Sequence, residues 1–311
     1  MKMWLNVFLL LLSYVGFSTT SLARVGESSA FEQTPFGVVK STDIIQVNHD
    51  QKVVLTPDEK LLVVDKKTNQ TVKVYDCAGR APALSLNARI PAGYAQSGTG
   101  YWAVKTLHDS YEIKRFSTQW EVPQPPQNQL TADPDYLWNG LQGGYQASQI
   151  SFAQPVMSWY SPKKSYRIAN WGYVHGRLIH GEEELVKPGT KLHGLVEFVR
   201  VNPRTLRYEY VSKFVGHPKL DLDTDGHIKP NMLEEVFEPY PPVKPSEFPA
   251  SPSGLMHDIK LITMPAYPKS QLDWEISGVA PALSVPLPSG KPNTEIISPS
   301  AQNGKIKFNW H

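Results

Sequence analysis

A glutamine in the middle of an apolar strand is the first residue here that could do chemistry. Gln154 lies in Ser151-Phe152-Ala153-Gln154-Pro155-Val156-Met157-Ser158-Trp159. In an extended strand side chains alternate between two faces, so Phe152, Gln154, Val156 and Ser158 share one surface while Ala153, Pro155, Met157 and Trp159 share the other. A primary amide carries two N–H donors and a carbonyl acceptor. Half-buried among apolar neighbours, it must find partners or bind something.

Other groupings of reactive residues are weaker. Asp221-Leu222-Asp223-Thr224-Asp225-Gly226 opens like a calcium loop, but the twelfth position, where a bidentate glutamate belongs, is Met232. An EF-hand is therefore rejected in favour of a solvated β-turn. His175 and His180, read as one strand, fall on opposite faces, and no Cys/His cluster has zinc spacing, so no metal is expected. No Gly-x-Ser-x-Gly elbow is present. Cys77 is the only cysteine, and it reads as a structural thiol. Trp138, Tyr145, Trp159, Tyr160, Tyr166, Trp171 and Tyr173 crowd one stretch. Most belong in a core, but such rings can also stack on sugars or peptide side chains.

The elements that must position these residues are strands. The 311 residues are 41% hydrophobic and 11% aromatic, enough for a packed core, and 27 prolines with 21 glycines imply many turns. A net charge of +2 gives no single-sign field, so no nucleic acid or polybasic membrane contact is expected. Residues 1–23 carry Lys2, an apolar run from Trp4 to Phe17 and small residues at Ser21 and Ala23. The run is well under the about 20 residues of a membrane span and predicts a cleaved signal peptide, with a secreted or periplasmic product free of the membrane. One thiol cannot form an intrachain disulfide, so the core must carry stability.

Residues 24–95 form a β-rich portion with runs at Ile44–Val47, Lys52–Leu55, Leu61–Val64 and Val72–Tyr75. A small β-module, a propeptide and extra strands on the main sheet all fit. Residues 96–311 hold many short strands, among them Tyr111–Phe116, Thr118–Val122, Tyr136–Leu141, Ile150–Ser158, Ile168–Ile179, Lys191–Val201 and Leu233–Phe237. Helical periodicity is scarce. The fold class expected is all-β: an antiparallel β-sandwich of concanavalin A-like or jelly-roll type with an N-terminal β-rich extension. The Pro-rich spans 123–135 and 239–252 read as surface loops.

The order of motifs resembles the glutamic peptidase (eqolisin) family of secreted β-sandwich proteases. Phe116-Ser117-Thr118-Gln119-Trp120-Glu121-Val122-Pro123 is similar to its entry strand. Leu137-Trp138-Asn139-Gly140-Leu141-Gln142-Gly143 is similar to its Trp-Val-Gly-Ile-Asp-Gly stretch, and Val186-Lys187-Pro188-Gly189-Thr190-Lys191-Leu192 to its Gly-Asp turn. Leu233-Glu234-Glu235-Val236-Phe237-Glu238 is similar to its Ala-Glu-Phe-Ile-Ile-Glu strand. The resemblance implies a catalytic pair, Gln154 and Glu238, and a protein or peptide substrate. Nearness to these motif strands puts Trp138, Gln142, Trp159 and Trp171 along the cleft, and no cofactor is required. A monomer is expected.

The chemistry of such a pair is coherent. A carboxylate takes a proton from water attacking the peptide carbonyl and returns it to the leaving amine. The amide holds the oxyanion, a contribution of about 3 kcal/mol. A glutamate in this role is expected to work at acidic pH. Two family acids are replaced, by Gln142 and, near Asn170-Trp171-Gly172-Tyr173, by Gly172. Any shift of register among Glu234, Glu235 and Glu238 changes the carboxyl nominated. Glu234 shares a strand face with Glu238 about 13 Å away, too far to share a proton. The rival reading is a non-catalytic carbohydrate- or peptide-binding sandwich.

Overall fold

The computed structural model describes residues 31–35, 37–77, 101–129, 135–144, 150–239, 245–277 and 294–310. The expected signal peptide lies outside these residues, as does Tyr145. The strands, in chain order, are β1 (Phe31–Thr34), β2 (Gly37–Lys40), β3 (Ile44–Gln46), β4 (Gln51–Leu55), β5 (Lys60–Asp65), β6 (Thr71–Asp76), β7 (Tyr101–Thr106), β8 (Glu112–Glu121), β9 (Asp135–Gly143) and β10 (Ser151–Tyr160). They continue as β11 (Ser165–Val174), β12 (Arg177–Val186), β13 (Lys191–Val201), β14 (Tyr208–Phe214), β15 (Leu222–His227), β16 (Met232–Pro239), β17 (Ser253–Met264), β18 (Glu275–Ser277), β19 (Thr294–Ser298) and β20 (Gly304–Asn309). Among the described residues only short 3-10 turns interrupt them, and no helix is long and apolar enough to cross a membrane.

Two sheets pack face to face. One has eight strands in the order β18-β7-β16-β9-β10-β11-β12-β3, the other ten in the order β19-β20-β17-β8-β13-β14-β15-β4-β5-β6. The all-β sandwich is the architecture observed, and its sheets are mixed: β3 joins β12 and β4 joins β15 in parallel, while the other pairs are antiparallel. Strands β3 and β4–β6 of the N-terminal portion are thus members of the two main sheets.

Alternation along each strand sets the layers. Leu137, Leu141, Ala153, Met157, Trp159, Ile168, Leu233 and Phe237 of the eight-stranded sheet meet Phe116, Trp120, Leu192, Val196 and Tyr210 of the other to form the inter-sheet core. The opposite faces of the same strands carry a second buried cluster of Tyr136, Trp138, Phe152, Val156, Ala169, Trp171, Tyr173, Leu178 and Val236, on which Val39 of β2 also packs. This outer face of the eight-stranded sheet is the one that bears Gln154.

Three local expectations differ from what is found. Tyr111–Phe116 and Thr118–Val122 are one strand, β8. Ile168–Ile179 is two, because His175 and Gly176 adopt φ of 48° and 76° and turn the chain between paired Val174 and Arg177. Positive φ at both central positions is what a tight hairpin of the observed twist requires. His175 and His180 therefore belong to a turn and a strand, not to one strand. The acidic run Asp221–Gly226 is no solvated turn: most of it is β15, held between β14 and β4. Buried Asp225 accepts a hydrogen bond from Asn202 Nδ2 at 2.5 Å.

Candidate active site

One row of residues crosses the outer face of the eight-stranded sheet. Gln154 on β10 pairs with Trp171 on β11, Trp171 with His180 on β12, and His180 with Gln46 on β3. On its other side Gln154 lies against Gly140 of β9, where an added Cβ would stand 2.6 Å from Gln154 Cγ. Gly140 in turn pairs with Glu234 on β16. The order across the sheet is therefore Glu234, Gly140, Gln154, Trp171, His180, Gln46. With no side chain at Gly140, the Gln154 side chain and the Trp138 ring occupy its place, so the amide lies over β9 on the side of the carboxyl two strands away.

Burial governs the electrostatics of this row. Gln154 is 1% exposed and Glu234 3%. Burial alone pushes the Glu234 carboxyl from its ordinary value up to about 8, since ionising it in a low-dielectric setting costs hydration that nothing nearby replaces. Among the described residues, Trp138 Nε1, Gln154 Oε1 and Glu234 Oε2 are buried without a hydrogen-bond partner. Buried polar atoms nearly always have one. Three such atoms at neighbouring positions on one face mark a place built to hold something polar.

Glu235 points the other way. It is enclosed between the sheets, where Thr118 Oγ1 donates to its Oε1, and burial holds its carboxyl well above the usual range despite that bond. Asn139, its partner in the β9–β16 register, faces the same interior. Neither this buried acid nor the level position of Glu234 was read from the sequence, although Gly140 in Trp138-Asn139-Gly140 is the local signal for a close approach.

The remaining nominated residues are distributed as follows. Glu238 projects from the same face as Gln154, but it is level with Tyr136 and, beyond that, with Ser158. Trp138 and Val236 occupy the level between it and the Gln154 row. Trp138 packs edge-on against Trp102 at 5.4 Å. Trp171 stacks on the His180 ring at 3.9 Å. Gln142 lies on the same face, half-buried, paired with Phe152 and Met232. Trp159 does not line this face. Its odd spacing from Gln154 sends it into the inter-sheet core, where it meets Tyr166 edge-on at 5.0 Å.

Against known structures, the arrangement has counterparts. Scytalido-glutamic peptidase with a peptide-based transition state analog and with a transition state analog inhibitor are each similar over 68% of this chain and 98% of theirs, at 12% and 13% identity and TM-scores of 0.43. SCP-B, a member of the eqolisin family of peptidases, in complex with the tripeptide Ala-Ile-His, is similar over 69% and 98%, at 11% identity and a TM-score of 0.41. The likeness is one of fold alone. No protein-family model matches the chain, and no curated protein matches its sequence.

Besides Glu234 and Glu238 on β16 and Glu275 on β18, charge on this face is gathered on β11 and β12. A bulge in β12 turns both His180 and Glu183 to the outer side, 3.3 Å apart. Arg167 Nη1 donates to Glu183 at 2.8 Å and its Nε to Ser158 at 3.1 Å. Arg167 and Glu183 thus pair with each other, while His180 Nε2 makes no hydrogen bond within the described residues. Among the described residues no group of three or more His, Cys, Asp or Glu could hold a metal ion. What the row can do is set an acid that changes protonation across one strand from an amide that donates.

Proposed function

We propose that the chain is an exported hydrolase of peptide bonds that works on the outer face of its eight-stranded sheet. Gln154 holds the carbonyl oxygen and a glutamate of β16 handles the proton. The carboxylate takes a proton from water as the water oxygen bonds to the carbonyl carbon, and the π electrons move onto the oxygen, which the Gln154 amide N–H then stabilises. The protonated carboxyl next gives its proton to the leaving nitrogen as the C–N bond breaks, releasing an acid and an amine. The observation that carries this reading is the set of three unpartnered buried polar atoms, on Trp138, Gln154 and Glu234, along the row that crosses Gly140. Export rests on the composition of residues 1–23.

The direct test is cleavage of denatured casein by the mature protein across the pH range, with Gln154→Ala as control. Cleavage should be lost in the variant. Equal rates in both would remove Gln154 from the chemistry, and no cleavage at any pH would end the hydrolase reading.

A further inference from the structure

Resting on the hydrolase reading, we infer that Glu234, rather than the Glu238 the sequence resemblance nominates, is the carboxyl that works with Gln154 across Gly140. The register decides between them. Gln154 touches the Gly140 position and Gly140 pairs with Glu234, so the amide and this carboxyl are separated by two strand spacings, about 10 Å between backbones. The Gln154 side chain lies over Gly140, which has none of its own, and so extends toward Glu234 on the next strand. Glu238 adds four residues along the strand, about 13 Å, to the same lateral separation. A general base must come within about 3 Å of the water it deprotonates. Glu238 would have to span the level filled by Trp138 and Val236.

The polar atoms agree with the register. Glu234 Oε2, Gln154 Oε1 and Trp138 Nε1 are enclosed and unpartnered. Together they offer an acceptor for the water proton, an acceptor for a substrate N–H and a donor for the oxyanion. Gly140 is then required by the pairing as well as by packing, since a Cβ there would stand 2.6 Å from Gln154 Cγ and push the amide off it.

The assignment changes the working pH. On β7 the residues level with and beside Glu234 are Val104, Trp102 and Thr106, all uncharged, and beyond Val104 stands the exposed Glu275 of β18. On its own strand the nearest charge-bearing group on this face is Glu238. Arg167, His180 and Glu183 lie on β11 and β12, beyond Gln154. With burial alone raising it to about 8, the carboxyl is ionised mainly above that pH. Activity should therefore climb toward mildly alkaline pH instead of peaking in acid.

The experiment compares parent, Glu234→Gln and Glu238→Gln as full chains with casein as substrate, each checked for folding by its urea midpoint. Glu234→Gln should lower kcat/KM by about 10² to 10⁴-fold. Glu238→Gln should retain cleavage and the rise of kcat/KM toward about pH 8. Should Glu234→Gln fail to fold, the pH profile of Glu238→Gln decides alone, because retained activity excludes Glu238 as the base. Loss of cleavage in Glu238→Gln with activity kept in Glu234→Gln would overturn the assignment while leaving the hydrolase reading intact. An inactive parent would end both.

Discussion

Replacing Glu234 by glutamine keeps the shape of the side chain and removes its titration, which turns a buried acid into a measurable term in stability. In the unfolded chain the carboxyl titrates near 4.5, and in the native protein near 8. Below 4.5 both states are protonated, so burial carries no ionic penalty. Between the two values the native state binds a proton that the unfolded state has released, so stability falls as the pH rises through this window. The full loss, reached above about pH 8, is about 5 kcal/mol. Glu235 adds a loss of the same sign and His227 an opposing one, but both are present in parent and variant alike. Urea unfolding followed by tryptophan fluorescence at about pH 4.5, 6, 7 and 8.5 gives the difference directly. Glu234→Gln should gain on the parent by about 5 kcal/mol across the series. Parallel curves would show that the carboxyl is solvated, and would refute the burial argument.

Other perturbations separate the site from its support. Gly140→Ala puts a Cβ 2.6 Å from Gln154 Cγ; it should cost about 1–3 kcal/mol by urea unfolding and lower casein cleavage at least about tenfold by displacing the amide, so a fully active variant would refute the need for the amide to lie over Gly140. Trp159→Ala should cost about 3–5 kcal/mol by urea unfolding yet leave the KM of the folded enzyme unchanged; a raised KM would return Trp159 to the cleft. His227 is enclosed beside Thr224, 2.7 Å from its hydroxyl, and burial holds its ring down at about 3. Its contribution is present above pH 6.5 and lost as the pH falls toward 3, so His227→Gln should flatten acid unfolding measured by circular dichroism. An unchanged acid limb would refute this.

What the sequence discloses depends on whether the deciding interaction is local. The alternation in Ser151–Trp159 is local, and it placed Gln154 on one face and Trp159 on the other, as observed. Assigning Trp159 to the cleft ignored that same alternation in favour of nearness in the chain. The hairpin at His175-Gly176 was hidden inside a continuous β-rich run, and only the glycine signals it. The run of alternating aspartates in β15 looked like a turn because the partners that bury it, β14 and β4, come from distant segments. The level of Glu234 against Gln154 is set by two strand pairings through β9, and pairing register between separate segments leaves no local trace. Nor does a parallel join such as β3 with β12.

That join carries a kinetic consequence. Gln46 meets His180 across 134 positions of chain, and Lys52 meets Asp223 a few residues later, so a single short stretch buckles the free margins of both sheets. Closing loops of this length is slow compared with forming hairpins. A nascent chain must therefore keep its first strands waiting until the margins they fasten have been made. In that interval β12 and β15 are bare templates for a neighbouring chain, and whatever shields the amino-terminal third during synthesis or export sets the yield of soluble protein.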